Sequence, residues 1–179
     1  GLPPVAAGLA PTLLPPRWLM PPRAVAAGIR GCRGTVLDIG AGNRWVQQQL
    51  HPDARYIAFD YPATGQGLYG TRPDVFGDAC RLPFADACTD AVTCYEVIEH
   101  VRAPDMVLAE VARVLRPGGV AEFTMPFLYP LHDEPYDYQR WTAHGWVRSV
   151  EAAGLQVRES SPLGHPLHAA AVLGGLALT

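Results

Sequence analysis

Thr35-Val36-Leu37-Asp38-Ile39-Gly40-Ala41-Gly42-Asn43 is the stretch on which the fold turns. A short apolar run bounded by glycines reads as a buried strand, and Gly40 and Gly42 then bring backbone to a place where any side chain would block a ligand. The expected continuation is a helix beginning near Asn43. A strand, a glycine turn and a helix in that order mark the place where α/β sheets bind nucleosides. A dinucleotide fingerprint would want a third glycine at position 45, but the chain has Trp45 there. Asp38 just before the turn would also repel a pyrophosphate, so a nicotinamide oxidoreductase is disfavoured.

On both sides of this stretch the chain alternates β-rich runs with helical periodicities. That pattern predicts an α/β fold, a doubly wound, mostly parallel sheet with helices on both faces. The reading predicts strands at 35–39, 55–60, 74–76, 90–95, 120–126 and 156–160. Val107, Leu108, Val111, Val114 and Leu115 recur at three- and four-residue spacing, which makes one apolar helix face, and Arg116-Pro117-Gly118-Gly119 stops it. A later helix is expected from about Thr142, a good N-cap, to Ala153, ended by Gly154.

Residues 1–34 hold seven of the eighteen prolines and read as an arm, with Leu13, Leu14, Trp18, Leu19 and Met20 for apolar contacts. The folded domain is expected over 35–162. Residues 163–179 read as an apolar C-terminal segment, an incomplete end of the same domain, because Gly174-Gly175 argues against a good last strand.

With 14 basic and 17 acidic residues the formal charge is −3, which lacks the basic excess that phosphate-backbone binding needs. Nucleic acid is not an expected partner. Every basic residue is Arg, so Schiff-base and P-loop lysine chemistry are excluded. Cys32, Cys80, Cys88 and Cys94 show neither a C-x-x-C pair nor zinc-finger spacing, which points to reduced thiols and no structural zinc. The apolar run Ala169–Leu178 is too short to span a bilayer and the N-terminus has no signal-peptide order, so a cytoplasmic protein without membrane attachment is expected.

Asp60 ends the second predicted strand eighteen residues beyond Gly42, where a carboxylate can accept from both ribose hydroxyls. Gly77-Asp78-Ala79-Cys80-Arg81-Leu82-Pro83-Phe84 ends the third strand in an acid whose carboxylate, with the following N–H, suits an adenine edge. Together with Asp90–Val101 (DAVTCYEVIEHV) and Glu110–Pro126 (EVARVLRPGGVAEFTMP), these motifs resemble the class I S-adenosylmethionine-dependent methyltransferases of the type 11 group, in order over about residues 35–127. The resemblance implies S-adenosylmethionine as cofactor. By it, Asp38, Gly40, Ala41, Gly42 and Asn43 would line the methionine end. Asp60 and Tyr61 would take the ribose, Asp78 and Ala79 the adenine, and Cys94, Tyr95 and Glu96 the floor beside the sulfonium. The carboxylates suit the cationic sulfonium and amino group. The departure is Arg44, where many relatives carry a small residue, and it is expected to narrow the entrance.

His100 belongs to the same family pattern and reads either as a fixture of the strand-to-helix connection or as a substrate contact. Glu96 and Glu99 lie three apart, but no hydrolase motif supports a carboxylate pair. The most individual stretch is Phe127–Thr142 (FLYPLHDEPYDYQRWT), placed after the fifth strand where α/β loops face the ligand crevice. There His132 with Asp133, Glu134 or Asp137 reads as a general base with its orienting acid, as a divalent-metal site, or as a loop anchor. The favoured reading makes His132, Asp133 and Asp137 catalytic, makes Tyr129, Tyr136, His100 and Arg140 substrate contacts, and expects no metal. Arg140 has the alternative of pairing with Asp137. The expected activity is methyl transfer to a hydroxyl of a sugar or natural-product-like small molecule, with a homodimer left open. The rival is a protein that binds S-adenosylmethionine without transferring its methyl group.

Overall fold

The computed structural model describes residues 24–67 and 70–164, with Leu167 and Ala170. The expected arm as far as residue 23, and most of the apolar tail with its glycine pair, lie outside the described residues. Two compact units are present. One comprises Ala24–Phe127 and His132–Ser160; of the described residues, the other takes Leu128–Leu131 and those from Ser161 on.

The larger unit is built on five parallel strands: β1 (Thr35–Ile39), β2 (Arg55–Asp60), β3 (Val75–Phe76), β4 (Thr89–Tyr95) and β5 (Leu115–Thr124). Their order in the sheet is β3-β2-β1-β4-β5, so the chain reverses direction of travel between β1 and β4, the switch point where such sheets bind ligands. β5 begins earlier than expected. Leu115 pairs with Thr89, and a bulge then carries Arg116–Gly119 around to the regular pairing that resumes at Ala91 and Val120.

Alternation along the strands gives two packed faces. Leu37, Ile39, Phe59, Val92 and Cys94 face helix α2 (Pro104–Val114), whose Val107, Val111 and Val114 are buried against them. Helix α3 (Ala143–Ala152) adds Trp146, which packs edge-on against Phe123. Thr142 caps α3 by accepting from the Gly145 N–H at 3.1 Å, and Gly154 ends it at φ +84°, as the sequence predicts. The opposite face buries Val36 and Ala91 under Val25, Ile29 and Val46.

Val25 and Ile29 fall in the stretch expected to be an arm, yet they are core. The short helix α1 (Ala27–Arg30) is tied down by Ala26 N–H to Glu122 and Val25 N–H to Gln49. The helix expected near Asn43 does not form. Gly42 and Arg44 both adopt positive φ, which breaks helical propagation, and only a 3-10 turn, Gln47–Gln49, follows. Nor do 156–160 pair as a strand: they are mostly exposed, and Arg158, Glu159 and Ser160 offer no apolar face to bury.

Candidate active site

The glycine turn leaves β1 at the switch point. A Cβ on Gly40 (φ +74°) would stand 2.1 Å from Val97 Cγ2, so glycine here lets the turn after β1 close against the turn after β4. Gly42 (φ +49°) has nothing nearer its missing Cβ than the Gly40 carbonyl at 3.9 Å, which leaves an open backbone face. The Ala41 N–H is spent on the Phe59 carbonyl, and Asn43 is exposed.

Asp60, only 7% exposed, joins the ends of β1 and β2. Its Oδ2 accepts from the Gly42 N–H and the Thr71 hydroxyl, both at 3.2 Å, and its Oδ1 accepts from the Tyr61 N–H at 2.8 Å. A carboxylate has about four acceptor directions, so about one remains. The Tyr61 ring is exposed beside it. Asp78 is exposed and caps the 3-10 turn Ala79–Arg81 by accepting from the Cys80 N–H at 2.9 Å, with Ala79 buried behind it.

Asp38 is placed differently from these. It is buried within the sheet, where Tyr56 and Thr93 donate to its two oxygens at 2.5 and 2.7 Å. Burial lifts its pKa to about 6 despite those two bonds. Cys94 lies in the apolar core facing α2, and burial pushes its thiol well above the usual range. Tyr95 points to the other face and donates to Glu122 at 2.5 Å. Glu96, at φ +53°, is exposed and accepts from the Thr124 hydroxyl at 2.8 Å. Arg44 pairs with Asp74 at 2.5 Å and lies 5.4 Å over the Tyr56 ring, so its side chain runs toward the start of β3.

Next to this crevice, the segment leaving β4 and the segment 132–139 are laced together. The Tyr138 N–H donates to the Glu99 carbonyl, and the Gln139 amide donates to the carbonyls of Ile98 and Val101. This brings His100 and His132 together, ring centroids 4.8 Å apart, with Glu99 between them. His132 Nδ1 is 3.0 Å from Asp137 Oδ2, and Asp137 receives both Arg140 terminal nitrogens at 2.5 and 2.7 Å. That bidentate guanidinium holds the Asp137 carboxyl far below the usual range. Asp137 is therefore the acid that orients His132, whereas Asp133 lies 3.9 Å from His100. Arg140 realises its pairing alternative, and Tyr136 offers its carbonyl to His100 Nδ1 at 3.0 Å. Burial keeps His100 below its ordinary range and pushes Glu99 up to about 8. Tyr129 belongs to the other unit and is exposed there.

The sequence reading gives Glu99 no role. The signal for it is the adjacent Glu99-His100 pair at a strand's C-terminal end, read jointly with a histidine after the next strand.

The type 11 methyltransferase-domain family matches residues 37–123. A demethylmenaquinone methyltransferase of Beutenbergia cavernae is 35% identical over 149 residues, 67% of this chain and 62% of that protein. The Mycobacterium tuberculosis protein of the same name is 37% identical over 111 residues, 58% of this chain and 47% of that one. The chain thus spans less than two thirds of the length of these relatives. Among solved structures, the [4+2]-cyclase SpnF superposes with a TM-score of 0.59 at 20% identity, covering 80% of this chain and 58% of the cyclase. An S-adenosylmethionine-dependent methyltransferase from Aquifex aeolicus gives 0.56 at 15% identity, over 75% and 79%. These two likenesses speak to the fold, and the cyclase shows that the fold alone does not fix an activity. With the matched stretch running from the first strand into the fifth, residues 37–123 carry the type 11 methyltransferase domain, on the fold of the class I methyltransferases.

Proposed function

We propose that this chain binds S-adenosylmethionine at the C-terminal ends of β1 and β2 and directs its methyl group onto a hydroxyl of a small-molecule acceptor. The observation that carries the reading is the junction of those strand ends, where the open backbone face of Gly42 and the buried Asp60 are joined by a 3.2 Å hydrogen bond. This cradle fits a nucleoside. Gly40 and Gly42 would meet the methionine end, the remaining acceptor direction of Asp60 a ribose hydroxyl beside Tyr61, and Asp78 with Ala79 the adenine. Asp38 acts through β1 as a positioning residue, since its oxygens are engaged by Tyr56 and Thr93.

When bound, S-adenosylmethionine supplies an electrophilic methyl carbon, which a nucleophile in line with the sulfur displaces. Acceptor activation falls to His132, with Asp137 fixing its ring and His100 and Glu99 beside it. The curated relatives are named for demethylmenaquinone, which makes that quinone an acceptor to try beside the hydroxyl-bearing small molecules. The charge of −3 supports a small molecule over a nucleic acid as partner. No helix among the described residues is long and apolar enough to cross a membrane, and a cytoplasmic site of action belongs to this proposal.

Thermal melts test the cofactor. S-adenosylmethionine and S-adenosylhomocysteine should raise Tm by mass action while NAD does not; an equal shift with NAD overturns the reading. For the acceptor side, His132→Ala should keep the S-adenosylmethionine Kd and slow single-turnover transfer at least about tenfold. Collapse of cofactor affinity in that variant would show that His132 serves the nucleoside instead.

A further inference from the structure

Three electron-pair donors meet where the segments after β4 and β5 are laced together. Glu99 Oε1 lies 3.7 Å from His100 Nε2 and 4.0 Å from His132 Nε2, and the ligand atoms of all three residues lie within 4.8 Å of one another. Both rings arrive with the far nitrogen engaged. His100 Nδ1 faces the Tyr136 carbonyl oxygen at 3.0 Å, an atom that can only accept. His132 Nδ1 faces Asp137 Oδ2 at 3.0 Å, and Arg140 keeps that carboxylate ionised. Each neutral ring therefore carries its proton on Nδ1 and turns a lone pair at Nε2 toward Glu99. The Glu99 side chain is 0% exposed, and no other described residue donates a hydrogen bond to either of its oxygens, its own backbone N–H and the more distant Arg140 charge being what favours the ionised form. A carboxylate taken out of water in this way needs a partner charge or a proton.

We infer that Glu99, His100 and His132 form a binding site for a divalent first-row transition-metal ion of the zinc type. Two imidazoles and one carboxylate are the donor set such ions take, whereas magnesium and calcium call for mostly oxygen ligands. Ligand atoms about 2.0–2.2 Å from a tetrahedral ion stand roughly 3.3–3.6 Å apart, so the two Glu99–histidine distances of 3.7 and 4.0 Å close around an ion with shifts of a few tenths of an ångström, and the third separation, within 4.8 Å, closes by rotation of the two rings toward each other. The outer bonds match as well: a metal-bound histidine typically donates its other N–H to a carboxylate or a carbonyl, and here Asp137 and the Tyr136 carbonyl stand in those places. Two histidines that are partly exposed leave a way in for the ion. Three protein ligands leave a coordination position open, which suits an acceptor oxygen. That last consequence rests on the methyl-transfer reading; the ion site does not.

The test is a Co2+ titration of the chelator-treated 179-residue chain, read by visible d–d absorption without cofactor or acceptor, with Zn2+ as competitor. One Co2+ per chain, displaced by Zn2+, is the expected result. Glu99→Gln removes the charge at constant size and His132→Asn removes an imidazole; each should weaken Co2+ binding at least about tenfold, with far-UV circular dichroism checking that both variants are folded. Absence of Co2+ bands in the wild-type chain overturns the site, and so does unchanged affinity in the folded variants. Failure of S-adenosylmethionine to bind would overturn the proposed function and leave the Co2+ result standing.

Discussion

Asp60 takes three donors from three places, the turn after β1, its own successor and Thr71, and so holds the end of β2 against the glycine turn. Asp60→Asn keeps the size and one acceptor oxygen but loses the charge that strengthens a bond to a ribose hydroxyl. S-adenosylmethionine binding should weaken by about 1–3 kcal/mol, measured by calorimetry, and unchanged affinity would mean that another group holds the ribose. Arg44 stands at φ +60°, a conformation that costs an L residue about 1–2 kcal/mol. The half-exposed ion pair with Asp74 returns about 1 kcal/mol or less. The expectation that Arg44 narrows the entrance rests on its standing where many relatives carry a small residue. Its side chain is drawn along the sheet edge by Asp74 and Tyr56, which no local pattern reveals. Gly40 and Asp60 were legible because glycine and a strand-end acid have few other reasons to be where they are. Glu99 was not, because its burial is made by residues 132–139, more than thirty positions away.

Among the elements, α2 and α3 could be read directly: one carries its apolar face at helical spacing, and the other carries a cap at Thr142 and a stop at Gly154. β1 and β4 were legible because parallel strands buried on both faces show as short apolar runs, whereas β3 and β5, less buried at the two sheet edges, were read from their place between the other elements. α1 was hidden by the prolines before it. Its one turn has too little periodicity to signal a helix, and Ile29 declares itself only by being 0% exposed under Val36 and Ala91. Ile29→Ala should therefore cost about 2–5 kcal/mol in a denaturant melt, as a core truncation does. A cost below about 0.5 kcal/mol would show that α1 is a surface segment after all.

For the molecule as a whole, Asp38 links stability to pH. Burial holds its folded-state pKa near 6 against 3.8 ordinarily, with Asp60 adding repulsion, and Tyr56, Thr93 and Arg44 working the other way. A folded-state pKa above the unfolded one contributes stability that is complete below pH about 4 and lost as pH rises through 6. The loss from this group is about 3 kcal/mol by neutral pH. Replacing it by Asp38→Asn should flatten the stability change between pH 4 and 7 by about that amount in parallel denaturation curves, and identical pH slopes would sink the assignment. The sheet order has a consequence for synthesis. β1 is the central strand, and its partners leave the ribosome at different times: β2 is complete at residue 60, whereas Ala91, which pairs with Val36, comes 55 residues after its partner. Through that interval a chain that has formed the first two strands carries two open strand edges, that of β2 until β3 pairs with it and that of β1 until β4 does, the kind of edge on which other chains add. The edge of β1 is thus covered only when the chain from Asp60 to Cys94 has been made, and that stretch also brings the second side of the switch point.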